Sequence, residues 1–239
     1  MNRPDSVSSS QGARVLVVGC GELGSRHLQA IASLPHVSRI DVVDPRPEAL
    51  ALGRERLSAV AQRASELEVR WLSALGEAQP GGALCLVATC AQGRGALIRE
   101  IAHTLGYHTF LIEKLVAPSV AELEALRDDA REAGWRIWVN CKTRAYPFHQ
   151  RVKHHLHPEE PILLSAAGGN HGLATNGVHL ADLFAFYDGA EHLELVSVQV
   201  DPVLHQAKRG RDLYDLSGTL QATTAKGSRF ILSYASQAG

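Results

Sequence analysis

Surplus charge is the first thing this sequence lacks. Twenty-four Lys and Arg stand against 25 Asp and Glu in 239 residues, a formal net charge of −1. That balance gives no electrostatic reason to expect nucleic acid or an anionic membrane as partner. Long apolar runs are absent too: none reaches the roughly 18 residues that span a bilayer. The four cysteines, Cys20, Cys85, Cys90 and Cys141, show no CxxC spacing. Three of them lie in apolar or Gly-rich strand context, so reduced thiols in a cytoplasmic protein are the expectation. The opening MNRPDSVSSSQGA carries no apolar signal-peptide core and reads as a disordered polar tail over residues 1–13. What the chain does have is 45% hydrophobic residues. That suffices for a real core, in one large domain or two small ones.

Those apolar residues arrive as alternating strands and helices. RVLVVG (14–19) is a short Val-rich strand, followed at once by CGELGSRHLQAIASL with helical spacing. RIDVVD (39–44) is a second strand, and PEALALGRERLSAVAQRA has helix composition with Pro47 in its first turn. EVRWL (68–72) and ALCLVAT (83–89) follow as strands, then GALIREIAHTLG (95–106) as a helix that Gly106 ends. HTFLIE (108–113) is a strand, SVAELEALRDDAREAG (119–134) a helix with a Ser119/Glu122 capping box, and RIWVN (136–140) a last strand. Such alternation predicts a doubly wound parallel sheet covered on both faces over residues 14–140.

In that setting Gly19, Gly21 and Gly24 spell GxGxxG between the first strand and its helix. The turn Gly19, Gly21, Glu22, Leu23, Gly24 would let a pyrophosphate sit on the helix N-terminus. Asp44 ends the second strand, 20 residues after Gly24, where a carboxylate accepts from a ribose diol. A carboxylate repels a 2′-phosphate, which favours NAD. Arg46 could hold that phosphate, so NADP stays open. The alternative is a glycine turn kept only for helix–strand packing.

After Asn140 the alternation stops. PFHQRVKHHL (147–156) and GVHLADLFAFYDG (177–189) read as helices. VSVQVDPVL (196–204) and DLSGTLQATTAKGSRFILSYAS read as strands, the latter two joined by a turn at Lys226-Gly227. Residues 141–239 are therefore expected to form a shortened α+β domain on a mainly antiparallel sheet. AAGGNHGLATNG (166–177) reads as a Gly-rich polar loop, whose Asn170, His171 and Asn176 suit a polyol or merely build a turn cluster. KHHLH (153–157) lacks an accompanying carboxylate or Cys at ligand spacing and reads as a solvated helix end, with no metal expected.

Four segments, VLVVGCGELGSRHLQAI, LIEKLVAPSVAEL, NCKTRAYPFHQRVK and NGVHLADLFAFYDG, occur in an order and spacing that resemble the glucose–fructose oxidoreductase/inositol dehydrogenase family. The resemblance runs from about Arg14 to the end of the chain. It implies a Rossmann domain, a substrate and oligomerisation domain, and an NAD(P)-dependent oxidoreductase acting on a sugar, polyol or sugar nucleotide. Bacterial surface-carbohydrate metabolism is one setting it suggests. It also gives a reason for Glu113 and Lys114 side by side at the end of a core strand, where desolvation is expensive. The family ends that strand in Glu-Lys-Pro, with the lysine beside nicotinamide and substrate hydroxyl. Lys114 would then stabilise a developing alkoxide, with Glu113 and Thr89 at neighbouring strand ends facing the cofactor. A charged pair closing a surface strand is the alternative.

The family's Asp-x-x-x-His-x-x-Asp is Thr175-x-x-x-His179-x-x-Asp182 here. The resemblance makes His179 the proton acceptor, with Asp182 orienting it or closing helix packing. Arg144 and Pro147 match an Arg-x-x-Pro; Arg144 would reach a substrate carboxylate or phosphate, or pair with a surface acid. Departures are plain. Thr175 replaces the acid, Leu115 replaces the proline after Lys114, which puts a cis peptide in doubt, and Thr89-Cys90-Ala91-Gln92-Gly93-Arg94 replaces Thr-Pro-x-x-x-His. The roughly 100 residues after Asn140 are about half the family's usual substrate domain. The expectation is a homodimer or higher oligomer that completes this sheet, or an inactive copy. A non-catalytic dinucleotide binder and a reductase of a non-sugar ketone or imine are the competing functions.

Overall fold

The structure is a computed structural model that describes residues 12–60, 67–206 and 214–235. Most of the expected N-terminal tail, the end of the expected helix at 61–64 and the last residue of the expected final strand lie outside the described residues. The chain divides into two units, Met1–Asn140 and Cys141–Gly239.

In the first unit β1 (Ala13–Val18), α1 (Glu22–Ala32), β2 (Val37–Val43), α2 (Pro47–Ser58), β3 (Glu68–Leu72) and β4 (Leu84–Val87) follow in order. α3 (Arg94–Leu105), β5 (Thr109–Ile112), α4 (Val120–Glu132) and β6 (Arg136–Val139) complete it. The sheet order is β3-β2-β1-β4-β5-β6, and every pairing is parallel. The chain works outward from β1 to β3, then crosses back to β4 on the other side of β1. The switch point between β1 and β4 is where folds of this kind take ligands.

Strand pleating explains why the β1 sequence is a continuous apolar run. Val15 and Val17 join the core of α1 and α2, with Leu28, Ile31, Leu50 and Leu57. Leu16 and Val18 join the opposite core, with Ile98 and Ile101 of α3 and Leu126 of α4. Both faces are covered, so no position of the run is free to be polar, and each such burial contributes about 2 kcal/mol. α4 keeps one half of the expected capping box: Ser119 Oγ accepts from the Glu122 N–H at 3.2 Å. All four cysteines are free thiols.

The second unit holds α5 (Pro147–His155), β7 (Leu163–Gly169), α6 (Leu173–Asp188), β8 (Glu194–Val200), β9 (His205–Gln206), β10 (Tyr214–Asp215), β11 (Gly218–Thr223) and β12 (Arg229–Ala235). Its main sheet runs β7-β12-β11-β8. β7 lies parallel to β12, and the other two pairings are antiparallel. α6 packs on one face through Phe184, which stacks on Phe230 at 5.2 Å between centroids. The expected turn at Lys226-Gly227 closes on Thr224, whose carbonyl accepts from Gly227 N–H at 2.9 Å.

Three expectations for this unit need correction. Residues 166–177 are not one loop: they supply the second half of β7, a three-residue turn and the start of α6. β7 reads LLSAAGG, without β-branched residues, and Gly168 leaves room for Tyr234, whose ring would lie 3.3 Å from a Cβ there. The helix expected from Gly177 begins at Leu173, because its cap comes from elsewhere. Gly172 offers no side chain; instead Asp215 Oδ1, on β10, accepts from the Ala174 N–H at 2.9 Å. The strand expected over 196–204 ends at Val200, two residues before Pro202, which cannot donate to a ladder.

Asp215→Ala should therefore loosen the start of α6, at a cost of about 2 kcal/mol. Hydrogen exchange at residues 174–177 together with urea unfolding would register it. Unchanged protection there would mean that the cap is not what starts this helix.

Candidate active site

The carboxyl ends of the parallel strands gather most of the expected cofactor residues on one edge of the first unit. After β1 the chain turns at Gly19, whose φ of +87° is a left-handed conformation, and enters α1 from Gly21. A Cβ at Gly24 would lie 1.8 Å from the Gly19 carbonyl oxygen, so only glycine permits that approach. Gly21 gives α1 no side-chain cap, which leaves the first-turn N–H groups of Glu22 and Leu23 as donors for an anion. The Glu22 carboxylate itself pairs with Arg56 at 2.5 Å. Leu23 is partly exposed.

Asp44, after β2, is 2% exposed and fully engaged. It accepts from the Cys20 N–H at 2.8 Å, from the Arg46 N–H at 3.0 Å, and from Arg46 Nε and Nη2 at 3.1 Å each. Two carboxylate oxygens offer about four lone-pair sites, so a ribose diol gains Asp44 only as the guanidinium releases it. Burial pushes the Asp44 carboxyl up, but these hydrogen bonds outweigh it and hold the carboxyl below the ordinary 3.8. Arg46 Nη2 lies 3.4 Å from where a Cβ on Gly21 would be. Its guanidinium thus overhangs the glycine turn.

Lys114 is half-buried just past β5, and the Lys114–Leu115 peptide is cis although Leu115 takes the proline's place. Before it, Glu113 is 5% exposed. Its Oε1 is held by His27 Nε2 at 2.6 Å and by Asn140 Nδ2 at 2.7 Å. Burial raises this carboxyl, and the two hydrogen bonds bring it back below 4.5. Glu113 is thus an internal anchor that turns its carboxylate away from solvent. Sequence reasoning missed His27 and Asn140. The signal was positional: His27 lies three residues beyond Gly24, and Asn140 directly follows β6, the strand beside β5. Thr89, after β4, has its backbone nitrogen 3.1 Å from a Cβ at Gly19.

In the second unit α6 carries Thr175, Asn176, His179 and Asp182. Thr175 Oγ1 donates to Asp215 Oδ2, and Asn176 Nδ2 to Thr175 Oγ1 at 3.3 Å. The carboxylate absent at position 175 thus reaches that turn from β10. Asp182 is committed to Arg144, which donates to it through Nε at 2.8 Å and through Nη2. That ion pair holds the Arg144 guanidinium above its ordinary value. Of the two readings for Arg144, the acid partner is the one realised here. His179 is half-buried. Asn170, with φ of +56°, and His171, hydrogen-bonded to the Gly169 carbonyl at 2.7 Å, form the turn before α6. The histidines of KHHLH close α5, with His154, His155 and His157 exposed.

No protein-family model matches the chain, and no curated protein matches it either. Solved structures do. GenD2 from gentamicin A biosynthesis, in complex with NAD, superposes with a TM-score of 0.75 at 18% identity, over 100% of this chain and 70% of its own. The WlbA dehydrogenase from Bordetella pertussis, in complex with NADH and UDP-GlcNAcA, gives 0.74 at 19% identity, over 96% of this chain and 68% of its own. The myo-inositol dehydrogenase from Lactobacillus casei, in complex with NAD(H) and myo-inositol, gives 0.67 at 18% identity, over 96% and 69%. At such identities the likeness establishes the fold: a Rossmann unit followed by an open-sheet unit, as in those dehydrogenases.

The Glu113 anchor has a pH signature. Its folded value lies below the ordinary 4.5, so its contribution is complete above that pH and is lost as pH falls through the folded value. Glu113→Gln should destabilise the chain by about 2 kcal/mol at pH 7. The gap from wild type should narrow below pH 4.5, in urea titrations run from neutral to acid. A gap independent of pH would show that the carboxylate's charge is not what the site uses.

Proposed function

We propose that this chain is an oxidoreductase that moves hydride between NAD or NADP and a hydroxyl-bearing or keto carbon of a sugar, polyol or sugar nucleotide. One observation carries the reading. The uncapped glycine turn after β1 and the Lys114 ammonium after β5 sit on the same carboxyl edge of one parallel sheet. The cradle also suits a pyrophosphate, because the Gly19–Gly24 approach admits no side chain there and α1 has no side-chain cap on its first-turn N–H groups. Bound there, the nicotinamide would supply the hydride acceptor or donor.

The remaining chemistry falls to side chains of this protein. A Lys114 ammonium donating to the reacting oxygen lowers the cost of negative charge as the alcohol becomes a carbonyl. His179 would take the hydroxyl proton, since an imidazole near neutral pH exchanges protons in either direction. Asn170, His171 and Asn176 would meet substrate hydroxyls, and Arg144 would do so only on leaving Asp182. Reduction of a non-sugar ketone or imine is the second reading. Thr175 favours it, because the position one turn before His179 carries a hydroxyl that donates to Asp215 instead of an acid.

On cofactor phosphate state, Asp44 argues for NAD and the overhanging Arg46 for NADP. The free thiols fit a reducing compartment, and we assign the chain to the cytoplasm; among the described residues no helix is long and apolar enough to cross a membrane. β8 exposes Leu195, Val196 and Val198, an apolar edge that suits self-association of this sheet into a homo-oligomer.

Titration with NADH and NADPH, followed by nicotinamide fluorescence, tests the reading, and binding of neither would end it. Lys114→Ala should leave cofactor affinity within a few-fold and cut turnover on a sugar and polyol panel by about 100-fold or more. Full turnover in that variant would remove the lysine from the chemistry. Arg46→Ala should weaken NADPH by about tenfold or more while sparing NADH. Equal losses for both cofactors would show that Arg46 does not read the phosphate.

A further inference from the structure

Arg94 opens α3, is 2% exposed, and is among the largest fully buried side chains of the protein. Among the described residues it forms no ion pair with a carboxylate. Its Nη1 donates to the carbonyls of Glu113 and Leu115, the residues on either side of Lys114, and reaches the Val116 carbonyl at 3.5 Å. Its Nη2 donates to the carbonyl of Thr89 at the end of β4, and its Nε makes no hydrogen bond. Burial pulls this guanidinium below its ordinary value, with the nearby Glu113 carboxylate working the other way. A buried cation is a costly way to fill space. What it provides, and an apolar side chain does not, is a planar fork that grips two strand ends at once.

The grip continues to the cofactor cradle. The Thr89 backbone that Arg94 holds is the same backbone that abuts Gly19, at 3.1 Å from a Cβ placed there. Contacts therefore run from the glycine turn through Thr89 and Arg94 to both flanks of Lys114. The sequence departs from the Thr-Pro-x-x-x-His of the resembled family at two of these positions, Cys90 and Arg94. We infer that Arg94 is the positioning residue for Lys114, fixing its backbone to the end of β4 so that the amine is aimed relative to a dinucleotide on the glycine turn. The inference rests on the proposed function for its kinetic readout and on geometry alone for its structural one.

Arg94→Met, in the full chain, should keep the NADH dissociation constant and the substrate KM within threefold of wild type while kcat falls at least 30-fold. Amide exchange across residues 113–116 should become at least tenfold faster, with β1 unchanged. Arg94→Lys, which keeps the charge and several donors, should recover at least a third of the lost kcat. Wild-type kcat in Arg94→Met, unchanged exchange at 113–116, or a loss of NADH affinity as large as the loss of kcat would each overturn the assignment. If Arg94→Met does not fold, Arg94→Gln takes its place: faster exchange at 113–116 supports the assignment, and unchanged exchange there overturns it. If the wild type binds neither NADH nor NADPH, the proposed function falls, and exchange at 113–116 still decides whether Arg94 holds the lysine.

Discussion

The Gly19 carbonyl and the Gly24 backbone meet so closely that one added methyl would fall 1.8 Å from the oxygen. That contact brings the start of α1 hard against the end of β1, and much else follows from it. With α1 so placed, the Cys20 N–H reaches Asp44 on the next strand at 2.8 Å. His27, three residues past Gly24, reaches Glu113 at 2.6 Å. A packing constraint at two glycines thus decides which polar groups of α1, β2 and β5 find partners.

The strand ends share a common arrangement of charge. Asp44 is buried against Arg46, Glu113 against His27 and Asn140, and Arg94 against four carbonyls. In each case a group that is costly to desolvate is held by hydrogen bonds within the protein. Lys114 stands between two such anchors: its predecessor's carboxylate is tied to α1 and β6, and its flanking carbonyls are tied to Arg94. A side chain whose backbone is held from both sides has fewer ways to point, which is the preorganisation that the proposed role of the Lys114 amine would call for.

How much of this was legible in the sequence depended on where each element's partners lay. The six parallel strands and four helices of the first unit stood out because Val-rich runs and helical periodicity alternate locally, and the glycine turn sits between β1 and α1 as its spacing required. The second unit was harder. β7 carries Leu, Ser, Ala and Gly where strand-forming residues were sought, and the reason for Gly168 is Tyr234, 66 positions on. α6 starts early because its cap, Asp215, lies 41 residues downstream of Ala174. At the site, Gly19, Gly24 and Asp44 were visible as types at fixed spacing, and Lys114 through the family resemblance. His27, Asn140 and Arg94 were not, since each acts on a residue that only folding brings near.

The thiols described among the core and turn residues divide in a useful way. Cys20 lies under the glycine turn, with no exposure and its sulfur 2.4 Å from where a Cβ on Gly53 would sit, and burial pushes it up to about 11. Cys85 and Cys141 are buried too, whereas Cys90 is exposed and follows Thr89 directly. Thiol chemistry applied to the folded chain therefore meets one exposed cysteine, next to the carbonyl that Arg94 grips. The native protein comes with its own attachment point for a spectroscopic reporter at the rim of the β4 strand end.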